Sequence, residues 1–159
     1  MFERSRPHLP GTLGCAGSGA RVSLSGLNAR LRLYRYHPGA LYRPHVDGAW
    51  PASALRRGEG VEPEYVYDAF ENQRSRLTFL VYLNDDFEGG CTTFYTPGPK
   101  EGHLEARRIA PRTGAALVFP HGGDCGSLVH EGSTVSRGAK YVIRTDVLFR
   151  TLSEFRSDG

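Results

Sequence analysis

Cysteine is scarce in this chain: 159 residues contain Cys15, Cys91 and Cys125, an odd number with no Cys-x-x-Cys pair. That spacing argues against a disulfide framework and leads us to expect free thiols in a reducing compartment. Long apolar runs are missing too. The opening Met-Phe-Glu-Arg-Ser-Arg-Pro-His has no hydrophobic stretch of the secretory kind, and no segment approaches membrane-spanning length. We therefore expect a cytoplasmic protein without a membrane partner. The Gly/Ser-rich stretch 11–26 has neither Gly-x-Gly-x-x-Gly nor Walker spacing, which excludes a phosphate cradle there and leaves a loop or lead-in. Strong charge of either sign is absent as well. The formal net charge is +3, and Arg56-Arg57 and Arg107-Arg108 are isolated doublets on a solvated surface, so no nucleic-acid partner is expected.

What is present suits a single domain with a real core: 39% hydrophobic residues, 8 Phe and 8 Tyr. Twenty Gly and 10 Pro favour short strands and turns over a helical bundle. Residues 30–36 alternate, with Leu31 and Leu33 on one face and Tyr34 and Tyr36 on the other. A strand from Leu41 to Asp47 follows the Pro38-Gly39 turn. Residues 48–74 show no sustained periodicity and read as a long loop, either disordered or a lid that grips substrate. Residues 76–84 form the strongest strand, with Leu77, Phe79, Val81 and Leu83 opposite Thr78, Leu80, Tyr82 and Asn84. Further strands are expected at 91–95, 104–109, 115–119 and 126–130. The last runs from Lys140 to Arg150, with Tyr141, Ile143, Val147 and Phe149 on one side and Lys140, Val142, Arg144 and Asp146 on the other. About seven or eight short strands at this spacing predict an all-β barrel or sandwich. Periodicity leaves open whether its polar or its apolar faces line the interior.

The stretch Leu33–Gly48 carries the chemistry. On a strand, residues i and i+2 share a face, so His45 and Asp47 project together while Val46 turns away. An imidazole beside a carboxylate supplies two ligands of a facial 2-His-1-carboxylate iron site. For the third, His121 follows Pro120 into a turn, whereas His130 ends a strand, and His130 is preferred. His8, His37 and His103 read as surface residues. Lys140 opens the last strand on its Val142/Arg144 face, and a lysine turned into a polar cavity needs an anionic partner to keep its charge.

Taken in order, these blocks resemble the Fe(II)- and 2-oxoglutarate-dependent dioxygenases, in the prolyl 4-hydroxylase-like branch. The resemblance rests on Arg35-Tyr36-x-x-Gly39-x-x-Tyr42-x-x-His45-x-Asp47, Tyr82-Leu83-Asn84, Gly89-Gly90-x-Thr92-x-Phe94, Pro111-x-x-Gly114-x-Ala116-Leu117-x-Phe119 and His130-x9-Lys140. It implies a double-stranded β-helix (a jelly roll) with few or short helices. The domain would occupy 27–150, after a lead-in at 1–26 and before a tail at 151–159. By resemblance, His45, Asp47 and His130 look like the catalytic iron ligands and Lys140 like the cation for the distal carboxylate of 2-oxoglutarate. Tyr82 resembles the tyrosine that assists that lysine, Tyr36 and Thr92 match positions lining the cosubstrate pocket, and Arg144 matches an inward position touching substrate or water.

The resemblance further implies Fe(II), 2-oxoglutarate and O2 as reactants, ascorbate as a possible reductant, and succinate and CO2 as products. Charge is consistent with this. Fe²⁺ with Asp47 is singly positive, 2-oxoglutarate doubly negative, and Lys140 supplies the balance. A carboxylate at position 47 leaves no halide site, so hydroxylation is expected over halogenation. The expected substrate is a prolyl residue in a peptide or protein. A small molecule or another side chain is the enzymatic alternative, and a non-catalytic jelly-roll binding module the alternative of another class. Family members carry helices before the first core strand, and here only 26 residues precede Leu27. Incomplete cover of Leu31, Leu33, Phe79 and Ile143 is therefore expected, and with it an oligomer through that face.

Overall fold

The structure, a computed structural model, describes residues 1–14, 21–58, 60–122 and 126–151. Cys15, Cys125 and the expected tail beyond Thr151 lie outside the described residues, and Cys91 is a free thiol. A one-turn helix α1 (Phe2–Ser5) and a 3-10 turn (Arg6–His8) precede the strands. These are β1 (Thr12–Gly14), β2 (Arg21–Leu27), β3 (Arg32–Tyr36), β4 (Tyr42–His45), β5 (Pro51–Arg56), β6 (Glu64–Tyr82) and β7 (Glu88–Gly89). Then follow β8 (Thr92–Pro97), β9 (Leu104–Ile109), β10 (Ala116–Pro120), β11 (Val129–Gly132), β12 (Val135–Arg137) and β13 (Lys140–Thr151). No helix among the described residues is long and apolar enough to cross a membrane.

Every strand pairing among the described residues is antiparallel. The larger sheet has the order β1-β2-β13-β6-β10, with β3 on the N-terminal half of β13 and β5 on the N-terminal half of β6. The smaller sheet is β4-β11-β8-β9, and β7 pairs with β12. Both main sheets contribute side chains to one cavity: Tyr36, Thr78, Lys140 and Arg144 from the larger, His45, Thr92 and His130 from the smaller. That is the jelly-roll arrangement expected from the sequence.

The open question of which face lies inside resolves by parity. Register on the larger sheet aligns Tyr34 with Val142 and Tyr82, Arg32 with Arg144 and Leu80, and Thr78 with Asp146. These rows face the smaller sheet. The odd-numbered residues Leu77, Phe79, Val147 and Phe149 form instead a core on the outer face, closed by Leu9 and Val22 and flanked by Phe2 and Leu13. Cover by the N-terminal segment is thorough at one end of the sheet and missing at the other. Phe79 is 2% exposed, whereas Leu31 and Leu33 are 61% and 69% exposed.

Two segments differ from the sequence reading. Within 11–26, taken as loop or lead-in, the described residues Thr12–Gly14 form β1 and those from Arg21 onward most of β2; the Val22/Leu24 alternation was hidden by glycine and serine composition. Within 48–74, taken as an irregular loop, Pro51–Arg56 form β5 and the residues from Glu64 onward the long outer half of β6. Their side-chain pattern has no steady period because the β5–β6 register shifts at Pro51/Ala52 and again at Ala52/Ala54. Asp68, at φ 53°, bends the other strand, and each such irregularity resets which face a residue occupies. The bend is braced by Arg74, whose Nη1 and Nη2 donate to the Asp68 carboxylate at 2.9 and 3.3 Å.

A core placed outside the larger sheet makes a direct prediction. Phe149→Ala should lower unfolding free energy by ~3–5 kcal/mol, the usual range for a buried phenylalanine. Leu33→Ala, on the same face but uncovered, should change it by less than ~0.5 kcal/mol. Urea denaturation of the two variants measures both; equal losses would show that the whole face is packed.

Candidate metal centre

Cross-strand pairing brings the histidines together. His45 on β4 and His130 on β11 are direct register partners, and their rings lie 4.3 Å apart. Asp47, two residues beyond His45 and just past the end of β4, turns its carboxylate between them. Its Oδ1 is 3.5 Å from His45 Nε2 and its Oδ2 3.5 Å from His130 Nε2. One ligand atom from each of the three residues lies within 4.8 Å of the others.

The tautomers follow from the backbone. His45 Nδ1 is 2.7 Å from the Arg43 carbonyl and His130 Nδ1 is 2.9 Å from the Leu128 carbonyl. A carbonyl only accepts, so each ring donates through Nδ1–H and presents the lone pair of Nε2 to Asp47. Burial disfavours the protonated ring of His130. Burial also pushes the Asp47 carboxyl up, but the Arg144 guanidinium, the Thr78 hydroxyl and His130 outweigh it and hold the group below the ordinary carboxylate range. Two imidazole nitrogens thus converge on an anion, and His45 Nε2 is buried without a hydrogen-bond partner. Such a set of acceptors repels itself unless a cation lies among them. Two imidazoles and one carboxylate on one side suit a divalent ion with open positions, Fe(II) foremost.

A second cluster lies farther along the same cavity. Lys140 is buried, donates from Nζ to the Gly90 carbonyl at 2.6 Å, and sits over the rings of Tyr36 and Tyr82 at 5.5 and 5.4 Å. The Tyr82 hydroxyl shares a 2.8 Å hydrogen bond with Thr92 Oγ1. Burial lowers the Lys140 ammonium to about 8 and raises both phenols, which stay neutral. The Gly89-Gly90 pair has a local reason: Gly90 has φ 64°, and a Cβ there would lie 2.9 Å from the Phe87 ring and 3.3 Å from Lys140 Cδ. Asn84 fixes the start of β13, accepting from the Tyr141 amide at 2.8 Å and donating to the Ala139 carbonyl at 2.7 Å.

Beside Asp47 stands a row of largely buried charges. Arg144 Nη2 donates to Asp47 Oδ1 at 2.8 Å and lies 3.8 Å from Asp146 Oδ1, while Arg32 Nη2 donates to Asp146 Oδ2 at 3.0 Å. Asp146 is fully buried, its carboxyl pushed up by burial, and its Oδ1 lacks a hydrogen-bond partner.

The structure thus gathers His45, Asp47, His130, Lys140, Tyr82, Tyr36, Thr92 and Arg144 around one cavity of about 210 Å³, with Tyr82 behind Thr92 and Lys140. The sequence reading missed Thr78, which donates to Asp47 Oδ2 at 2.7 Å, and the Arg32–Asp146 pair. A signal existed for both: Thr78 shares strand parity with Tyr82, and Asp146 with Lys140 and Arg144. His121, set aside as a turn residue, does lie just past β10, yet it is 0% exposed and hydrogen-bonded to Thr78.

A family model described as the 2OG-Fe(II) oxygenase superfamily matches residues 31–145. Among solved structures the chain is similar to a Pseudomonas putida prolyl-4-hydroxylase, with 19% identity and a TM-score of 0.51, covering 83% of this chain and 56% of that one. It is also similar to a viral collagen prolyl hydroxylase from Paramecium Bursaria Chlorella virus-1 in complex with 2OG, with 20% identity, a TM-score of 0.43, and 77% and 62% of the two chains covered. At 19% identity the likeness to the Pseudomonas putida protein is one of fold, and the chain spans less than two thirds of either protein's length. No curated protein sequence matches the chain.

The acceptor cluster predicts one site for a divalent ion. Anaerobic titration with Co(II), followed by its visible absorption, should show one equivalent bound, and Asp47→Ala should abolish it. Arg144→Gln removes a cation competing for Asp47 Oδ1 and should tighten binding; weaker binding in that variant would show that Arg144 supports the site instead.

Proposed function

The chain belongs to the 2OG-Fe(II) oxygenase superfamily, and from that membership we propose that it is a dioxygenase that hydroxylates an unactivated C–H bond using Fe(II), 2-oxoglutarate and O2, releasing succinate and CO2. The observation carrying this reading is the pairing of two sites in one cavity. The convergent acceptors His45, Asp47 and His130 stand at one end, and the buried ammonium of Lys140 at the other.

His45, Asp47 and His130 would hold the metal, which when bound would supply coordination sites for the 2-oxo acid and for O2, bringing the oxidant together with its co-reductant. Everything else falls to the chain. Lys140 offers the distal carboxylate of 2-oxoglutarate a charge-assisted hydrogen bond. Its Gly90 contact and the Tyr36 and Tyr82 faces hold the amine in place, so the diacid is oriented before it meets the metal. Thr92 and the Tyr82 hydroxyl add polar partners at the same end. The backbone carbonyls behind His45 and His130 keep both Nε2 lone pairs aimed inward. Arg144 neutralises Asp47 on the substrate side of the cavity.

For the substrate we take a prolyl residue of a peptide or protein, on the strength of the motif resemblance. The cavity wall supports this with Tyr34, Tyr36 and Tyr42, aromatic faces suited to a pyrrolidine ring, and Tyr42 is half exposed at the opening. Ascorbate would serve as an accessory reductant. Succinate release by the Fe(II)-loaded protein should rise on adding a proline-rich peptide, and hydroxyproline should appear in it by mass spectrometry. Succinate formation that no peptide stimulates would point to a small-molecule substrate, and no 2-oxoglutarate turnover at all would leave a binding module.

The burial of Lys140 sets a pH dependence. With the ammonium lowered to about 8, the free protein loses that charge as pH rises through this value. Affinity for 2-oxoglutarate should be flat below it and fall by up to about tenfold per pH unit above it. Lys140→Met should bind weakly at every pH with no such slope. A slope that survives in Lys140→Met would assign the titration to another group.

A further inference from the structure

Behind Asp47 runs a chain of hydrogen bonds that the proposed chemistry does not use. The Trp50 amide donates to Ser75 Oγ at 2.8 Å, Ser75 Oγ lies 2.7 Å from His121 Nε2, and His121 Nδ1 lies 2.7 Å from Thr78 Oγ1. Thr78 Oγ1 in turn donates to Asp47 Oδ2 at 2.7 Å. Ser75, Thr78 and His121 are all buried, with 0% to 1% exposure.

The direction of every link is fixed. An amide can only donate and a carboxylate can only accept. Thr78 has a single hydroxyl proton. If it went to His121, the Thr78 and Asp47 oxygens would face each other 2.7 Å apart as two acceptors. It therefore goes to Asp47, and His121 must donate to Thr78 through Nδ1–H. Ser75, already accepting from Trp50, gives its proton to His121 Nε2. Burial lowers the ring to about 4, so a neutral ring is the form present near neutrality. The turn carrying His121 is also tied to the metal loop. The His121 amide donates to the Arg76 carbonyl at 2.9 Å and the Gly122 amide to the Asp47 carbonyl at 3.3 Å.

We propose that His121 is a positioning residue for the metal centre. As the neutral Nδ1–H tautomer it fixes the Thr78 hydroxyl as a donor to Asp47 Oδ2, and thereby holds the carboxylate plane in the orientation that ligation needs. The proposal rests on the metal-binding reading above and goes beyond it: the histidine rejected as a ligand acts on the ligand set from two hydrogen bonds away. Partners of this kind typically change metal affinity by ~10–100-fold when removed.

The test is anaerobic Co(II) affinity of the full chain, with the visible spectrum as a second readout. Thr78→Val should weaken binding by ~10–100-fold. His121→Gln places its amide near Ser75 and loses the donor to Thr78, so it should weaken binding comparably. His121→Asn, whose Nδ2 can replace Nδ1, should stay within about threefold of wild type. The double variant Thr78→Val/His121→Gln should be no weaker than Thr78→Val alone, because His121 acts through Thr78. Additive losses would overturn the relay, as would wild-type affinity in His121→Gln. If a variant fails to fold, ¹⁵N NMR of the wild-type protein still decides. His121 protonated at Nδ1 alone from about pH 5 to 8 supports the proposal, and a proton on Nε2 overturns it. Wild-type protein that takes up no Co(II) would overturn the metal reading and this proposal with it. Normal wild-type uptake with an indifferent His121 would overturn only the proposal.

Discussion

Two imidazole lone pairs and a carboxylate are forced to face one another across a single strand pairing, and much of the interior can be understood as the means of holding them there. Left to themselves these groups would separate or take up a proton. The β4–β11 register prevents separation, because His45 and His130 are opposite residues of one ladder. Protonation is resisted by burial at His130, while the carbonyls that hold both Nδ1 protons leave the lone pairs on Nε2. The resulting electrostatic tension is local, and a divalent cation would relieve it.

Placing polar chemistry between the sheets displaces the apolar core. Interior positions of the larger sheet go to Thr78, Lys140, Arg144 and Asp146, so the phenylalanines and valines of the same strands pack on the far side. That side needs a cover, and the N-terminal segment supplies one through Leu9 and Val22. Apart from Lys140, which rests on the Gly90 carbonyl, the interior charges form a connected row, Asp47 to Arg144 to Asp146 to Arg32, where each has an opposite neighbour.

The convergence of His45, Asp47 and His130 was legible in two ways: His45 and Asp47 from their two-residue spacing, and His130 and Lys140 from the family resemblance. Strand parity also survived: Tyr34 and Tyr36 share a face in the sequence and in the structure. Which face points inward was not legible, since alternation is symmetric under exchange of the two sides. The β5–β6 hairpin was lost to its bulges, and β2 to its glycines and serines. His121 was invisible for a different reason. Its partners Thr78 and Ser75 are 43 and 46 residues away, and only the folded sheet joins them.

Strand β13 carries chemistry on its even positions and packing on its odd ones, with Lys140, Val142, Arg144 and Asp146 inward and Val147 and Phe149 outward. Adding or deleting one residue in the middle of that strand would exchange the two assignments beyond the change, sending ionised groups into the greasy layer and aromatic rings toward the ligand. Such an indel would damage folding and reactivity together. Changes in length are therefore better tolerated in the connecting loops or where a bulge already resets the register.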